Sequence, residues 1–295
     1  RGIGAVGAGE RFGANYELPN NTAYNETCAS IANVYWNYRM FLLHGDAKYM
    51  DVLEKTLYNG LISGVGLDGK SFFYTNAMEI RNSFSHPDIE RERSGWFECS
   101  CCPTNICRFI PAIPGYMYAQ KGDDLFVNLF ISSTADIVMN KIPVQVIQQN
   151  NYPWDGDLHF KINTAKASTF KIRIRIPGWV MNSAVPSDLY RFESGSNAKP
   201  GIKVNGEAVA YELENGYAVI SKTRKKNDVM EVRLPMEVKR VTANEKIKND
   251  IGKVALQRGP IMYCAEWADN NGKTSNIILP SASGFVLLPV FFHAN

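Results

Sequence analysis

The chain has 295 residues, 45% of them hydrophobic and 21% charged, and carries a net charge of +3. That composition belongs to an ordinary globular protein with room for two domains and a sizeable core. The small, scattered charge argues against nucleic acid or an anionic membrane surface as a partner. No apolar run approaches the roughly 20 residues of a membrane span.

In chain order, the first element is a glycine-rich stretch, Gly2–Gly9, followed directly by Glu10. No Lys-Ser/Thr follows it and no strand precedes it, so it does not read as a phosphate loop. The first ~120 residues read as helical. Ile31, Val34, Tyr35, Tyr38, Phe41 and Leu42 recur at the spacing of one amphipathic stripe, with Thr22 as a possible cap and Gly45 as the stop. Asp46 can cap a second helix with Tyr49, Val52, Leu53 and Leu57 on its buried face, weakened or ended by Asn59-Gly60. His44 falls at a helix end, where a cation is favourable. An extended segment, Ser71–Tyr74, follows an Asp68-Gly69 turn. A third helix is expected to start at Pro103 and to be interrupted by Pro111 and Pro114.

From about Asp123 the apolar period changes to two. Candidate strands follow at Phe126–Ser132, Val144–Gln149, His159–Asn163, Phe170–Ile176, Ile202–Val204, Tyr217–Ser221, Val229–Leu234 and Val254–Cys264. Asp155-Gly156, Asn205-Gly206 and Asn215-Gly216 supply turns between them, a spacing typical of antiparallel sandwiches. Pro186–Pro200 reads as a long surface loop, and Lys222–Lys226 as a solvated hairpin end. The expected fold class is α+β and multidomain: a helical part at 1–120, a β-sandwich at 121–240, and the start of a further β-domain at 241–295 that reads as truncated. Both ends of the chain read as cut from something longer.

The six cysteines are unevenly placed. Cys99, Cys101 and Cys102 fall within four residues, and Cys28 lies two residues after Glu26. An adjacent pair rarely reaches disulfide geometry and is better explained as two ligands of one ion. Thiolates are good zinc ligands, and a carboxylate can complete a set of four. On a regular helix, residues two apart point about 200° apart, so Glu26 and Cys28 can share an ion only if one of them lies outside regular helix. Cys101 and Cys102 face the same difficulty just before Pro103. Cys107 and Cys264, each alone, read as small buried apolar residues. His86 is a candidate for the pocket wall. Glu54 is open between a pocket carboxylate and an exposed helical residue.

Four stretches carry a resemblance: Gly9-Glu10-Arg-Phe-Gly13, Tyr16-Glu-Leu-Pro-Asn20, Ala23-Tyr-Asn-Glu-Thr-Cys-Ala29 and Trp96-Phe-Glu-Cys-Ser-Cys-Cys-Pro-Thr-Asn105. Together with Arg258-Gly-Pro-Ile-Met-Tyr-Cys264, they resemble glycoside hydrolase families 127 and 146, the bacterial β-L-arabinofuranosidases and their relatives. The resemblance covers essentially the whole chain as the C-terminal part of a longer protein. It implies that the helical part belongs to an (α/α)6 barrel, of which this chain supplies only a portion. It implies Zn2+ held by Glu26, Cys28, Cys101 and Cys102, with Cys101 also the nucleophile and Glu10 the general acid/base. Tyr74 looks like the active-site tyrosine that contacts the sugar, and Cys99 matches a family cysteine that is not a ligand.

The implied activity is retaining hydrolysis that releases terminal β-L-arabinofuranosyl residues from plant glycans. One group attacks the anomeric carbon and another protonates the leaving oxygen. A relative acting on another rare sugar of pectin stays open. So does a non-catalytic carbohydrate-binding protein with a structural Cys3Glu zinc site, for which the presence of Glu10 is the discriminating feature. Redox sensing through Cys101 and Cys102 is a third reading. The expected partner is an oligosaccharide or glycan. A bacterial periplasmic or cytoplasmic setting both fit, with the periplasm preferred, because bound metal protects thiols from oxidation.

Overall fold

The computed structural model describes residues 12–80, 92–281 and 283–286. Helix α1 spans Thr27–His44, α2 Ala47–Lys55, α3 Cys101–Phe109 and the short α4 Pro114–Met117. The end of α1 follows its sequence signal: Gly45 adopts φ 65° and its N–H returns to the Phe41 carbonyl. Its start does not. Thr22 is not the cap; that position falls to Glu26, whose backbone is extended and whose side chain is committed elsewhere. Asp46 caps α2 as expected, its side chain accepting from the Lys48 N–H at 3.0 Å.

Two stripes shift. Leu42 is exposed, and on α2 the buried positions are Met50, Leu53 and Glu54 rather than Tyr49 and Val52. Asn59-Gly60 does not stop the helix. The chain passes instead into a π-helical turn, Thr56–Leu61, and then a 3-10 turn, Ile62–Gly64. The third helix begins two residues before Pro103, at Cys101, and the two later prolines break it into short turns as expected. Among the described residues, α1 packs against both α2 and α3, and these four helices do not close a barrel.

The β-region comprises β1 (Tyr118–Lys121), β2 (Asp124–Val127), β3 (Ser133–Met139), β4 (Ile142–Asn150), β5 (Asp157–Thr164), β6 (Ser168–Arg175), β7 (Tyr190–Phe192) and β8 (Gly201–Val204). It continues with β9 (Glu207–Ala208), β10 (Glu212–Glu214), β11 (Tyr217–Arg224), β12 (Asp228–Arg233), β13 (Val238–Ala243), β14 (Ala255–Arg258) and β15 (Ile261–Tyr263). One sheet runs β1-β2-β6-β11-β10 and a second β3-β4-β5-β12-β8-β9; a third runs β15-β14-β13-β7. All pairings are antiparallel except β2 with β6.

The first two sheets close a sandwich core on Leu125, Val127, Phe160, Ile162, Ile172, Ile174, Ile220 and Val232. The Asn-Gly turns form where expected, with Asn205 at φ 53° and Gly206 at φ 83°, and Asn215 at φ 49° and Gly216 at φ 79°. Gly216 has a second reason to be glycine: a Cβ there would lie 2.5 Å from that of Ala47 at the start of α2.

Phe126–Ser132 is not one strand. The chain leaves the first sheet after Val127, crosses through buried Asn128, Leu129 and Phe130, and joins the second sheet at Ser133. Phe126 points away from the sandwich into a second core with Val34, Phe41, Met50, Leu53 and Tyr217. The strand is therefore buried on both faces, which fills in the alternation that marks a half-exposed strand. Val254–Cys264 is likewise a hairpin, turned at Gly259 with φ 56°. Within Pro186–Pro200, Tyr190–Phe192 pairs with β13, so this stretch is not all loop. Lys222–Lys226 is not all solvated either. The alternation of β11 places Arg224 on the inward face with Ala218 and Ile220, fully buried.

The helices and the sandwich are joined by buried charge. Arg175, at the end of β6, donates to the Asn128 carbonyl and to Asp51 Oδ1, each at 2.7 Å, and to Glu54 Oε1. Tyr152 donates to the same Glu54 oxygen at 2.8 Å, and the Gly178 N–H donates to Asp51 Oδ2 at 3.0 Å. Glu54 is thus neither a pocket carboxylate nor an exposed helical residue; it is 1% exposed and ion-paired across the interface.

Candidate metal centre

Two helix starts meet at one point. Asn25 takes φ 35°, Glu26 is extended, and only from Thr27 does α1 become helical. This turn is what allows Glu26 and Cys28 to face the same way despite their spacing. A neighbouring segment holds it in place. Thr27 donates from its N–H to the Tyr74 carbonyl at 2.9 Å and from its hydroxyl to the Phe73 carbonyl at 2.8 Å, and the Asn76 N–H donates to Asn25. The Phe73 N–H in turn reaches the Gly64 carbonyl at the end of the π and 3-10 turns. Gly64 is needed there, because a Cβ would lie 2.8 Å from Thr27 Oγ1.

At the second helix start, Ser100 is non-helical and Cys101 and Cys102 open α3. The result is a cluster of Glu26, Cys28, Cys101 and Cys102 whose candidate ligand atoms all lie within 4.8 Å of one another. The Cys101 and Cys102 sulfurs are 3.8 Å apart, and Glu26 Oε1 is 3.7 Å from the first and 3.6 Å from the second. Glu26 and Cys102 are buried; Cys28 and Cys101 are half-buried.

The three edges among Glu26, Cys101 and Cys102 fit a single ion. A tetrahedral zinc site with Zn–S of about 2.3 Å and Zn–O of about 2.0 Å requires S–S edges near 3.8 Å and S–O edges near 3.5 Å. A disulfide would need sulfurs at about 2.05 Å, and all six cysteines are free thiols. The donor set itself calls for a cation. Burial pushes the Cys101 thiol up to about 11, against the lowering effect of a hydrogen bond from Tyr74. A hydrogen bond to Cys28, together with burial, pushes Cys102 far above its ordinary value. Cys28 is drawn down to about 7, chiefly by the hydrogen bond it receives from Cys102. Without a cation only one of the three sulfurs is close to ionising at neutral pH. A divalent ion would compensate all three and the carboxylate together, and both helix N-termini add favourable positive potential.

Each sulfur has a donor of its own. The Tyr74 hydroxyl serves Cys101, the Cys28 backbone N–H serves Cys102, and Asn105 Nδ2 serves Cys28 at 3.3 Å. Tyr74 is held edge-on between Tyr24 and Phe97. In the sequence, the one signal Asn105 carries is its position three residues after Cys102 on the same helix. Cys99 is exposed and outside the cluster. Cys107 and Cys264 are also exposed, which corrects their reading as buried apolar residues. Glu10 and His86 lie outside the described residues.

Three family models match in succession. The GH127 beta-L-arabinofuranosidase catalytic domain matches residues 2–115, the GH127 middle domain 124–236, and the glycoside hydrolase family 127 C-terminal domain 238–295. The chain belongs to glycoside hydrolase family 127.

Family relatives agree with this placement. A non-reducing end beta-L-arabinofuranosidase of Bifidobacterium longum subsp. longum is 36% identical over 93% of this chain and 40% of its own length. A GH127 beta-arabinofuranosidase of known structure is 51% identical with a TM-score of 0.83, covering 91% of this chain and 41% of that one. The GH127 beta-L-arabinofuranosidase of Geobacillus stearothermophilus T6 is 40% identical with the same TM-score, covering 92% of this chain and 41% of that one. The chain thus spans about two fifths of the length of these relatives. No helix among the described residues is long and apolar enough to cross a membrane.

Proposed function

We propose that this chain carries the zinc–thiolate centre of a retaining glycoside hydrolase that releases terminal β-L-arabinofuranosyl residues from plant glycans. The observation that carries the reading is the Cys3Glu cluster, all of whose ligand atoms lie within 4.8 Å of one another. Glu26, Cys28, Cys101 and Cys102 would hold the ion. Zinc, when bound, supplies the positive charge that keeps the thiols ionised at neutral pH.

Within the cluster, Cys101 is the sulfur best placed to attack. Cys102 is fully buried, and Cys28 is engaged by Asn105. Cys101 is half-buried, and its own donor is the hydroxyl of Tyr74. Its sulfur would form a bond to the anomeric carbon while Glu10 protonates the departing glycosidic oxygen. Glu10 would then take a proton from the incoming water, which displaces the sulfur. The Tyr74 hydroxyl, donating to Cys101, would stabilise the thiolate as it leaves and would contact the sugar. The division of the chain at 1–120, 121–240 and 241–295, and the assignment of the helices to an (α/α)6 barrel, belong to the same proposal.

The sugar is taken from the relatives' named activity. The test is incubation of the intact gene product with a synthetic β-L-arabinofuranoside, with free arabinose measured. Release with retained anomeric configuration is the expected result. No release, with activity on another pectic sugar, would move the substrate assignment. One observation favours a second reading, a purely structural zinc site: four protein ligands leave no open position on the ion. That reading has no use for Glu10. A carboxylate more than about 10 Å from the Cys101 sulfur would favour it, since paired groups in retaining enzymes stand about 5 Å apart.

A further inference from the structure

Helix α3 contributes more than two ligands. Asn105 stands three residues after Cys102 and four after Cys101, on the same face and one turn further in. Its Nδ2 donates to Cys28 Sγ at 3.3 Å. The orientation of that amide is not arbitrary. Arg108 Nη2 donates to Asn105 Oδ1 at 2.8 Å, and a guanidinium has no acceptor, so the carboxamide oxygen must face Arg108 and the NH2 group must face the sulfur. A second side chain thereby fixes which end of Asn105 meets the cluster.

The three sulfurs are served differently. The donor to Cys102 is a backbone amide, which cannot leave. The donor to Cys101 is the Tyr74 hydroxyl, on a ring set edge-on between Tyr24 and Phe97. The donor to Cys28 is an amide clamped by an arginine. A hydrogen bond to a coordinating thiolate withdraws charge from that sulfur and holds it in place.

We propose that Asn105, clamped by Arg108, is a positioning residue that pins the Cys28 sulfur in place as a metal ligand. This rests on the reading of the cluster as a zinc site, and the experiment separates the two. Zinc affinity is measured by chelator competition on the intact gene product and its variants, beside the melting temperature of each metal-free form. The Co2+-substituted proteins are compared through their sulfur-to-metal charge-transfer bands.

Asn105→Leu keeps the volume and loses the donor. It should bind zinc about 10- to 100-fold more weakly, the usual cost of losing an outer partner of a ligand. Its cobalt charge-transfer band should shift, while the melting temperature of the metal-free form is unchanged. Asn105→Asp keeps the shape and the contact with Arg108 but turns an acceptor towards the thiolate, so its loss should be at least as large. Arg108→Met should show a smaller loss in the same direction. Zinc affinity within about threefold of wild type in both Asn105 variants would overturn the proposal, as would a metal-free melting temperature that falls as far as that of the zinc-bound form. A wild-type protein that binds no zinc would instead overturn the zinc reading on which it stands.

Discussion

Replacing Cys101 by serine should reduce turnover by about 10^4-fold or more while leaving the far-ultraviolet circular dichroism unchanged. Removal of a covalent nucleophile costs on that scale because the remaining groups cannot substitute for it. The Cys101 position is well suited to survive the change. It is the first residue of α3 and half-buried, so the hydroxyl meets no steric conflict and remains within reach of Tyr74. Glu26, Cys28 and Cys102 still offer three ligands. Kinetics on an arabinofuranoside with an activated leaving group would separate the two roles of the residue. If Cys101 is both nucleophile and ligand, turnover vanishes even in samples that retain zinc. If it is a ligand only, activity should track zinc occupancy, and a variant reloaded with zinc should recover. Substantial turnover by zinc-loaded Cys101→Ser would remove the thiolate mechanism.

The second large effect lies far from the cluster. Arg175→Met should destabilise the protein by about 3–5 kcal/mol, the range found when one partner of a buried ion pair is removed. Glu54 is 1% exposed and, among the described residues, would be left with the Tyr152 hydroxyl as its hydrogen-bond donor, while Asp51 would lose its guanidinium and keep the Gly178 N–H. For a protein of this size the loss should appear as a fall in melting temperature on the order of 10 °C. The damage comes mainly from the stranded carboxylate, so the double variant Arg175→Met, Glu54→Leu should recover a large share of it. A fall of less than about 2 °C in the single variant would mean that the link between α2 and the sandwich is carried by the apolar contacts of Phe126, Leu129 and Tyr217 alone.

Much of this architecture is legible in the residues. The switch from helical to alternating pattern near residue 120, the Gly45 and Asp46 caps and the Asn-Gly hairpins all report local chemistry, and local chemistry decides them. What the pattern hides is set by tertiary contact. Glu54 reads as either a pocket carboxylate or an exposed helical residue because the arginine that buries it is 121 positions away. Phe126 joins a second core because helices cover the outer face of its sheet. Arg224 lies in a charged run, yet strand parity turns it inward. For the cluster, the spacing of the cysteines suggests a shared ion and the family resemblance implies which residues would hold it, but convergence depends on the non-helical turn at Asn25 and Glu26 and on the start of α3 falling at Cys101 rather than Pro103. The donors from Tyr74 and Asn105 follow only once those two helix starts are brought together.

Four residues from two helix starts are proposed to hold one zinc ion. Metal analysis of the intact gene product, purified without added metal, addresses it directly, with Glu26→Ala and Cys28→Ser prepared in parallel. One zinc per chain is expected in the wild type, and a loss of most of it in both variants. A folded wild-type protein without metal, whose Cys28, Cys101 and Cys102 all react readily with a thiol reagent, would contradict it.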